Sequence, residues 1–154
     1  MEKYFEKIQN LSFIPTKEKL KWDDNTIGDQ FVFKFPDGST REHGEAQIIY
    51  ETIDEIDKSD IQSILFKNGL QSKDIIAHLN QFYPNGHGPD EKTEENMKKG
   101  IGSEVLEYLM QEAISQGAKA MRTFTGNESM RRFLTKKGFE AIDKSKHRWF
   151  KMLT

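Results

Sequence analysis

Lys98-Lys99-Gly100-Ile101-Gly102-Ser103 opens a segment in which Val105, Leu106, Leu109, Met110, Ala113 and Ile114 follow at i, i+1, i+4, i+5, i+8 and i+9. That spacing places the apolar side chains on one stripe of a helix over residues 102–116. Gly117 is a natural stop, because glycine accepts the left-handed backbone at a helix C-terminus. The first N–H groups of such a helix have no intrahelical partner, and its N-terminus carries partial positive charge. Glycine lets an anion approach the backbone closely, and Lys98 and Lys99 add full charges beside it. The segment reads as a cradle for a phosphate or pyrophosphate. The competing reading, a lysine-bearing loop before a glycine-opened helix, needs no ligand. Two other phosphate motifs are excluded by spacing. G-x-x-x-x-G-K-[ST] does not fit Gly100 and Gly102, and G-x-G-x-x-G finds Val105 where its third glycine belongs.

Outward toward the C-terminus, residues 118–124 read as extended. Asn127 is a good N-cap for a second helix carrying Met130, Phe133 and Leu134. Lys136 and Lys137 suit its negative end, and Gly138 stops it. Residues 139–142 and 147–153 then form a hairpin across Asp143-Lys144-Ser145-Lys146, with at least one side of Trp149-Phe150 in the core.

Outward toward the N-terminus, residues 84–96 hold two Pro, two Gly and no large apolar side chain, which marks an exposed loop. Before it the chain reads mostly as strand. Phe31-Val32-Phe33-Lys34-Phe35 precedes the turn signal Pro36-Asp37-Gly38-Ser39, and residues 45–53 supply a hairpin partner. Period alone leaves 61–66 and 75–83 open between strand and short helix. The aromatic end at Phe82 and Tyr83 favours strand for 75–83. Ser12-Phe13-Ile14-Pro15 and Leu20-Lys21-Trp22 fit edge strands.

Length and composition bound the function. A chain of 154 residues is one domain. Lys and Arg total 23 against 25 Asp and Glu, which argues against a dedicated nucleic-acid binder. The absence of Cys excludes disulfides, thiolate metal sites and cysteine nucleophiles. Four scattered His make no zinc spacing, so no metal is expected. No apolar run approaches a membrane span, and the N-terminus lacks a signal-peptide stretch, so a cytoplasmic protein is expected.

Residues 75–153 together resemble the GCN5-related N-acetyltransferase superfamily. Met97-Lys98-Lys99-Gly100-Ile101-Gly102 resembles its pyrophosphate loop, Q/R-x-x-G-x-G/A. Asn127, followed by Phe133-Leu134-Thr135-Lys136-Lys137-Gly138-Phe139, is similar to its N-x(5)-F-Y-x-K-x-G-F segment. The resemblance implies an α+β fold, with a mixed, mostly antiparallel central sheet splayed around an acyl-CoA site. It implies acetyl-CoA as donor, with its pyrophosphate on the amides of Gly100, Ile101, Gly102 and Ser103, helped by Lys98 and Lys99. The pantetheine arm would pair with the strand ending near Phe82 and Tyr83, touch Asn127 and pass Phe133. Residues 1–83 would form a divergent acceptor-side half and 97–154 the CoA-binding half, with 84–96 as the loop between.

This sequence departs from the family at Met97, where Gln or Arg is usual, and at Leu134, where a Tyr often protonates the departing thiolate. The segment between Tyr83 and Gly100 is also longer than usual. Acyl transfer to an ammonium-forming amine benefits from a base, and His78 and Tyr83 are the catalytic candidates, with His87 in the loop. His78 also fits a hydrogen-bonded sheet histidine, and Tyr83 a packing aromatic. Phe82, Phe124 and Phe133 line a channel or belong to ordinary core. His43 and His147 read as surface or packing residues. The expected acceptor is a small-molecule or peptide primary amine, not nucleic acid, and a sheet-edge homodimer is compatible. The alternatives are a catalytically inactive CoA-binding or interaction module, and a structural α+β domain with no CoA site.

Overall fold

Asp29, Phe31 and Phe33 are buried, while Gln30 and Val32 between them are half-buried and Lys34 is exposed. This period-2 pattern makes residues 27–34 a strand with one face on a core. The computed structural model describes residues 13–21, 26–34, 44–83, 101–143, 145 and 147–153. Its strands are β1 (Ile14–Lys21), β2 (Ile27–Lys34), β3 (Gly44–Thr52), β4 (Ile75–Tyr83), β5 (Ala118–Phe124), β6 (Glu140–Ala141) and β7 (Arg148–Met152). The helices are α1 (Ser59–Lys67), α2 (Ile101–Ser115) and α3 (Glu128–Lys136), with a 3-10 turn at Ile53–Glu55. They form one seven-stranded sheet in the order β1-β2-β3-β4-β5-β7-β6. Every pairing is antiparallel except β4 with β5, whose crossover contains α2. Among the described residues no helix is long and apolar enough to cross a membrane.

Each face of the sheet has its own core. On one face α2 and α3 cover Phe31, Phe33, Ile48, Leu79, Met121 and Trp149, using Val105, Leu106, Leu109, Ala113 and Leu134. On the other, Ile53, Ile56, Ile61 and Leu65 cover Ile76, Ala120 and Phe150. Trp149 and Phe150 are adjacent, so they point to opposite faces and both are buried. The expectation of at least one buried side there is exceeded.

Several expectations from the sequence are met. Residues 31–33 pair with β3, with Phe31 opposite Ala46. Asn127 caps α3, its Oδ1 accepting from the Met130 amide at 3.1 Å. Gly117 and Gly138 follow α2 and α3 with φ of 87° and 88°. The C-terminal hairpin forms, trimmed to β6 and β7. Ile14-Pro15 and Leu20-Lys21, from the two edge pieces proposed near the N-terminus, belong to one strand, β1.

Other readings need correction or sharpening. The open run at 61–66 is helix α1, because Ile61 and Leu65, at i and i+4, are its two buried residues. Ile114 leaves the helical stripe and is 41% exposed. Tyr108 joins it instead, with its ring edge-on to Phe31 and Phe33 at 6.0 Å and to Phe13 at 5.9 Å. Phe124 is not core: it is 65% exposed. The turn at 36–39, the loop at 84–96, Trp22, His43 and His87 lie outside the described residues.

Candidate functional site: a fork between two parallel strands

β4 is held on both sides along its first half. Its parallel ladder with β5 runs from Ile75–Ala118 to Leu79–Thr123 and ends there, whereas its antiparallel ladder with β3 continues to Tyr83. Ile48 pairs with Leu79 and Gln47 with Gln81, so Asn80 is one extra residue, a β-bulge. A bulge bends its strand and raises its local twist. Pairing with β5 therefore stops at Leu79, one residue before β5 itself ends at Phe124, while β4 runs on to Tyr83; this end of the parallel ladder is the fork.

Side chains fasten the fork on both faces. On the α2/α3 face the buried Thr123 hydroxyl donates to the Leu79 carbonyl at 3.0 Å. On the α1 face the Asn80 amide donates to Gln47 Oε1 at 2.5 Å, and Gln47 Nε2 donates to Gln30 Oε1 at 3.1 Å. This carboxamide chain ties the bulge to β3 and β2, away from β5. Below it, Arg122 of β5 spans β4 to reach Glu51 of β3, with Nε to Oε2 at 2.7 Å and Nη2 to Oε1 at 3.1 Å. Both partners are largely buried, which makes this bidentate pair stronger than a surface ion pair.

The structure puts His78 on the sheet face opposite Phe82 and Phe133. His78 lies beside Arg122 in the ladder and shares its side of β4 with Ile76, on the α1 face. Burial, and then the Arg122 charge, push its pKa down to about 4. Its imidazole is therefore neutral at physiological pH. Native His78 binds its proton less readily than unfolded His78, so stability rises with pH between about 4 and 6.5 and is lost below. That contribution is about 3 kcal/mol, and His78→Gln should flatten this part of a pH–stability curve measured by urea denaturation. Tyr83 closes β4 opposite Glu45.

Phe82 and Phe133 meet on the other face. Their rings stack with centroids 6.1 Å apart and planes at 20°, and Lys137 Nζ sits 5.8 Å from the Phe133 centroid. This pair joins the far end of β4 to α3 over the opening of the fork. Asn127, exposed at the start of α3, donates its backbone N–H to Thr125 Oγ1 at 3.1 Å. Its Oδ1 is committed to the cap. Gly102 and Ser103 occupy the first turn of α2 after Ile101, with Gly102 and Ser103 half-buried. Lys98, Lys99 and Gly100 lie outside the described residues. Leu134 is 1% exposed within the α2/α3 core, so this position presents no proton donor.

Sequence reasoning missed Thr123, the bulge, the Gln30–Gln47–Asn80 chain and the Glu51–Arg122 clamp. One signal was present. Ala77 and Leu79 alternate on the α2/α3 face, yet the next aromatic on that face is Phe82, a slip of phase that a bulge produces. The exposed Phe124, next to Thr123, contacts His147 at 5.9 Å between rings. A bond from the Thr125 amide to the His147 carbonyl at 2.7 Å holds that loop in place.

The chain thus has an α+β fold with a mixed, mostly antiparallel sheet, whose one parallel pairing, β4 with β5, stops short of the end of β4. It is similar to the solved structure of AtaT complexed with acetyl-methionyl-tRNAfMet, at 10% sequence identity and a TM-score of 0.51. The match covers 90% of this chain and 94% of that one. No protein-family model and no curated protein sequence matches the chain.

Proposed function

We propose that the protein is an acyl-CoA-dependent N-acetyltransferase that moves an acetyl group from acetyl-CoA to a primary amine. The observation that carries this reading is the fork, where β4 leaves β5 after the Leu79–Thr123 pair. A strand edge that has parted from its neighbour offers N–H and C=O groups to an extended molecule. The pantetheine arm is such a molecule, with two amides of its own. It would run along β4 beside Phe82, Phe133 and Asn127. The diphosphate would rest on the amides of Ile101, Gly102 and Ser103 with Gly100, Lys98 and Lys99 beside them, where a helix N-terminus favours anions. Residues 97–154 would hold the donor and 1–83 the acceptor. The likeness in fold to AtaT, whose complex contains an acetylated aminoacyl group, supports the same assignment.

The acceptor would approach from the α1 face, where His78 and Tyr83 lie. Its neutral amine nitrogen attacks the thioester carbonyl carbon, the C–S bond breaks, and an amide and free CoA thiol result. One proton passes from nitrogen to sulfur overall. The chain's contribution is to align the two reactants, worth several orders of magnitude in rate when the reacting atoms are held in contact. A neutral His78 can accept a hydrogen bond from the incoming amine, although its depressed pKa makes it a weak base. Tyr83 is the second candidate for handling the proton.

The balance of 23 basic and 25 acidic residues speaks against broad contact with a phosphate backbone. The AtaT complex nevertheless carries its acetylated amine on tRNA. The acceptor panel should therefore contain an aminoacyl-tRNA beside polyamines, peptides and small amines. Calorimetric titration with acetyl-CoA is the primary test. Saturable binding is expected, and no heat at millimolar ligand removes the proposal. The buried Leu134 favours one second reading, a CoA-binding module without catalysis. Binding without turnover across the panel would establish that reading.

A further inference from the structure

We infer that Thr123 and Asn80 are positioning residues that set where the β4–β5 fork opens, and hence where the thioester of a bound acyl-CoA lies. The inference rests on the acyl-CoA reading above. Each residue acts through the backbone of β4 and neither needs to touch the acyl group.

The geometry assigns them different tasks. The Leu79 carbonyl belongs to the last residue of β4 in the parallel ladder. It is buried, and the Thr123 hydroxyl is its donor at 3.0 Å. A side chain thus satisfies the carbonyl at the point where the next backbone donor of a continuing ladder would otherwise be sought. Thr123 closes the ladder without leaving a buried acceptor unpaired, a defect that is costly in a protein interior. Asn80 works from the opposite face. It is the extra residue of the bulge, and its carboxamide is bonded to Gln47, which is 8% exposed and bonded in turn to Gln30. The chain pulls the bulge toward β3. One residue ends the paired segment and the other draws the departing strand aside. Without them β4 could pair further with β5 and narrow the opening.

The test uses the full chain with Thr123→Val, which keeps the shape and removes the hydroxyl, Thr123→Ser, which restores it, and Asn80→Ala. Each is titrated with acetyl-CoA and with adenosine 3′,5′-bisphosphate, which carries only the nucleotide end. Thr123→Val and Asn80→Ala should each weaken acetyl-CoA by about tenfold, with the bisphosphate unaffected and Thr123→Ser close to wild type. In turnover, kcat should fall more than KM rises, because alignment is lost along with grip. If Thr123→Val does not fold, Thr123→Ala, which admits a water to the carbonyl, takes its place. Equal loss for both ligands, or a lowered Tm with unchanged acetyl-CoA affinity, overturns the inference while leaving the acetyltransferase reading intact. A wild-type chain that binds no acetyl-CoA removes both.

Discussion

Gly102→Asp is expected to weaken acetyl-CoA binding on the order of a hundredfold or more, with the fold retained. Gly102 is the second residue of α2, and the first amides of an α-helix have no intrahelical partner. An aspartate there brings a carboxylate within about 4 Å of a bound diphosphate, a repulsion of about 4 kcal/mol at the effective dielectric of a protein surface. The same aspartate is favourable to the helix, since a negative charge in the first turn complements the dipole by roughly 0.3–1 kcal/mol. Binding and stability should therefore move independently. Calorimetry and thermal melting on one preparation check this, and undiminished affinity would remove the diphosphate from this helix.

Phe31→Ala should cost about 3–5 kcal/mol of stability, a large part of the roughly 5–15 kcal/mol that holds a domain together. Phe31 is fully buried, 6.0 Å edge-on from Tyr108 of α2 and stacked with Phe33 at 6.2 Å. Removing its ring leaves a cavity between β2 and α2 that the flanking aromatic rings cannot fill without leaving their rotamers. Phe124→Ala is the control. That ring is 65% exposed, and its loss should change stability by no more than about 0.5 kcal/mol. Urea midpoints for the two variants give the comparison. Similar midpoints would mean that the packing of α2 on the β2 aromatic face is wrong.

The buried charges follow the same logic of burial against pairing. Asp29 is 3% exposed on β2, and burial raises its pKa more than the nearby Lys17 and Lys19 lower it. Glu112, also buried, is 3.3 Å from Lys17. This pair joins β1 to α2 on the core face, a placement that no alternation pattern suggested. Arg148 makes a comparable link on the α1 face, bonding Asp143 and Asp60 and so joining α1 to β7.

Local chemistry determined much of this protein from its sequence alone. The stripe from Val105 to Ala113 made α2, Asn127 capped α3, and Gly117 and Gly138 ended their helices, because each rule acts within one or two turns of chain. The strand character of residues 31–34 and 45–52 was legible for the same reason, and the aromatic end at Phe82 and Tyr83 favoured it for 75–83. The tertiary structure alone decided the fork. Thr123 finds the Leu79 carbonyl 44 residues away, and Arg122 finds Glu51 across 71 residues. Such contacts depend on which strands become neighbours and in what register, which the packing of two cores on opposite sheet faces selects.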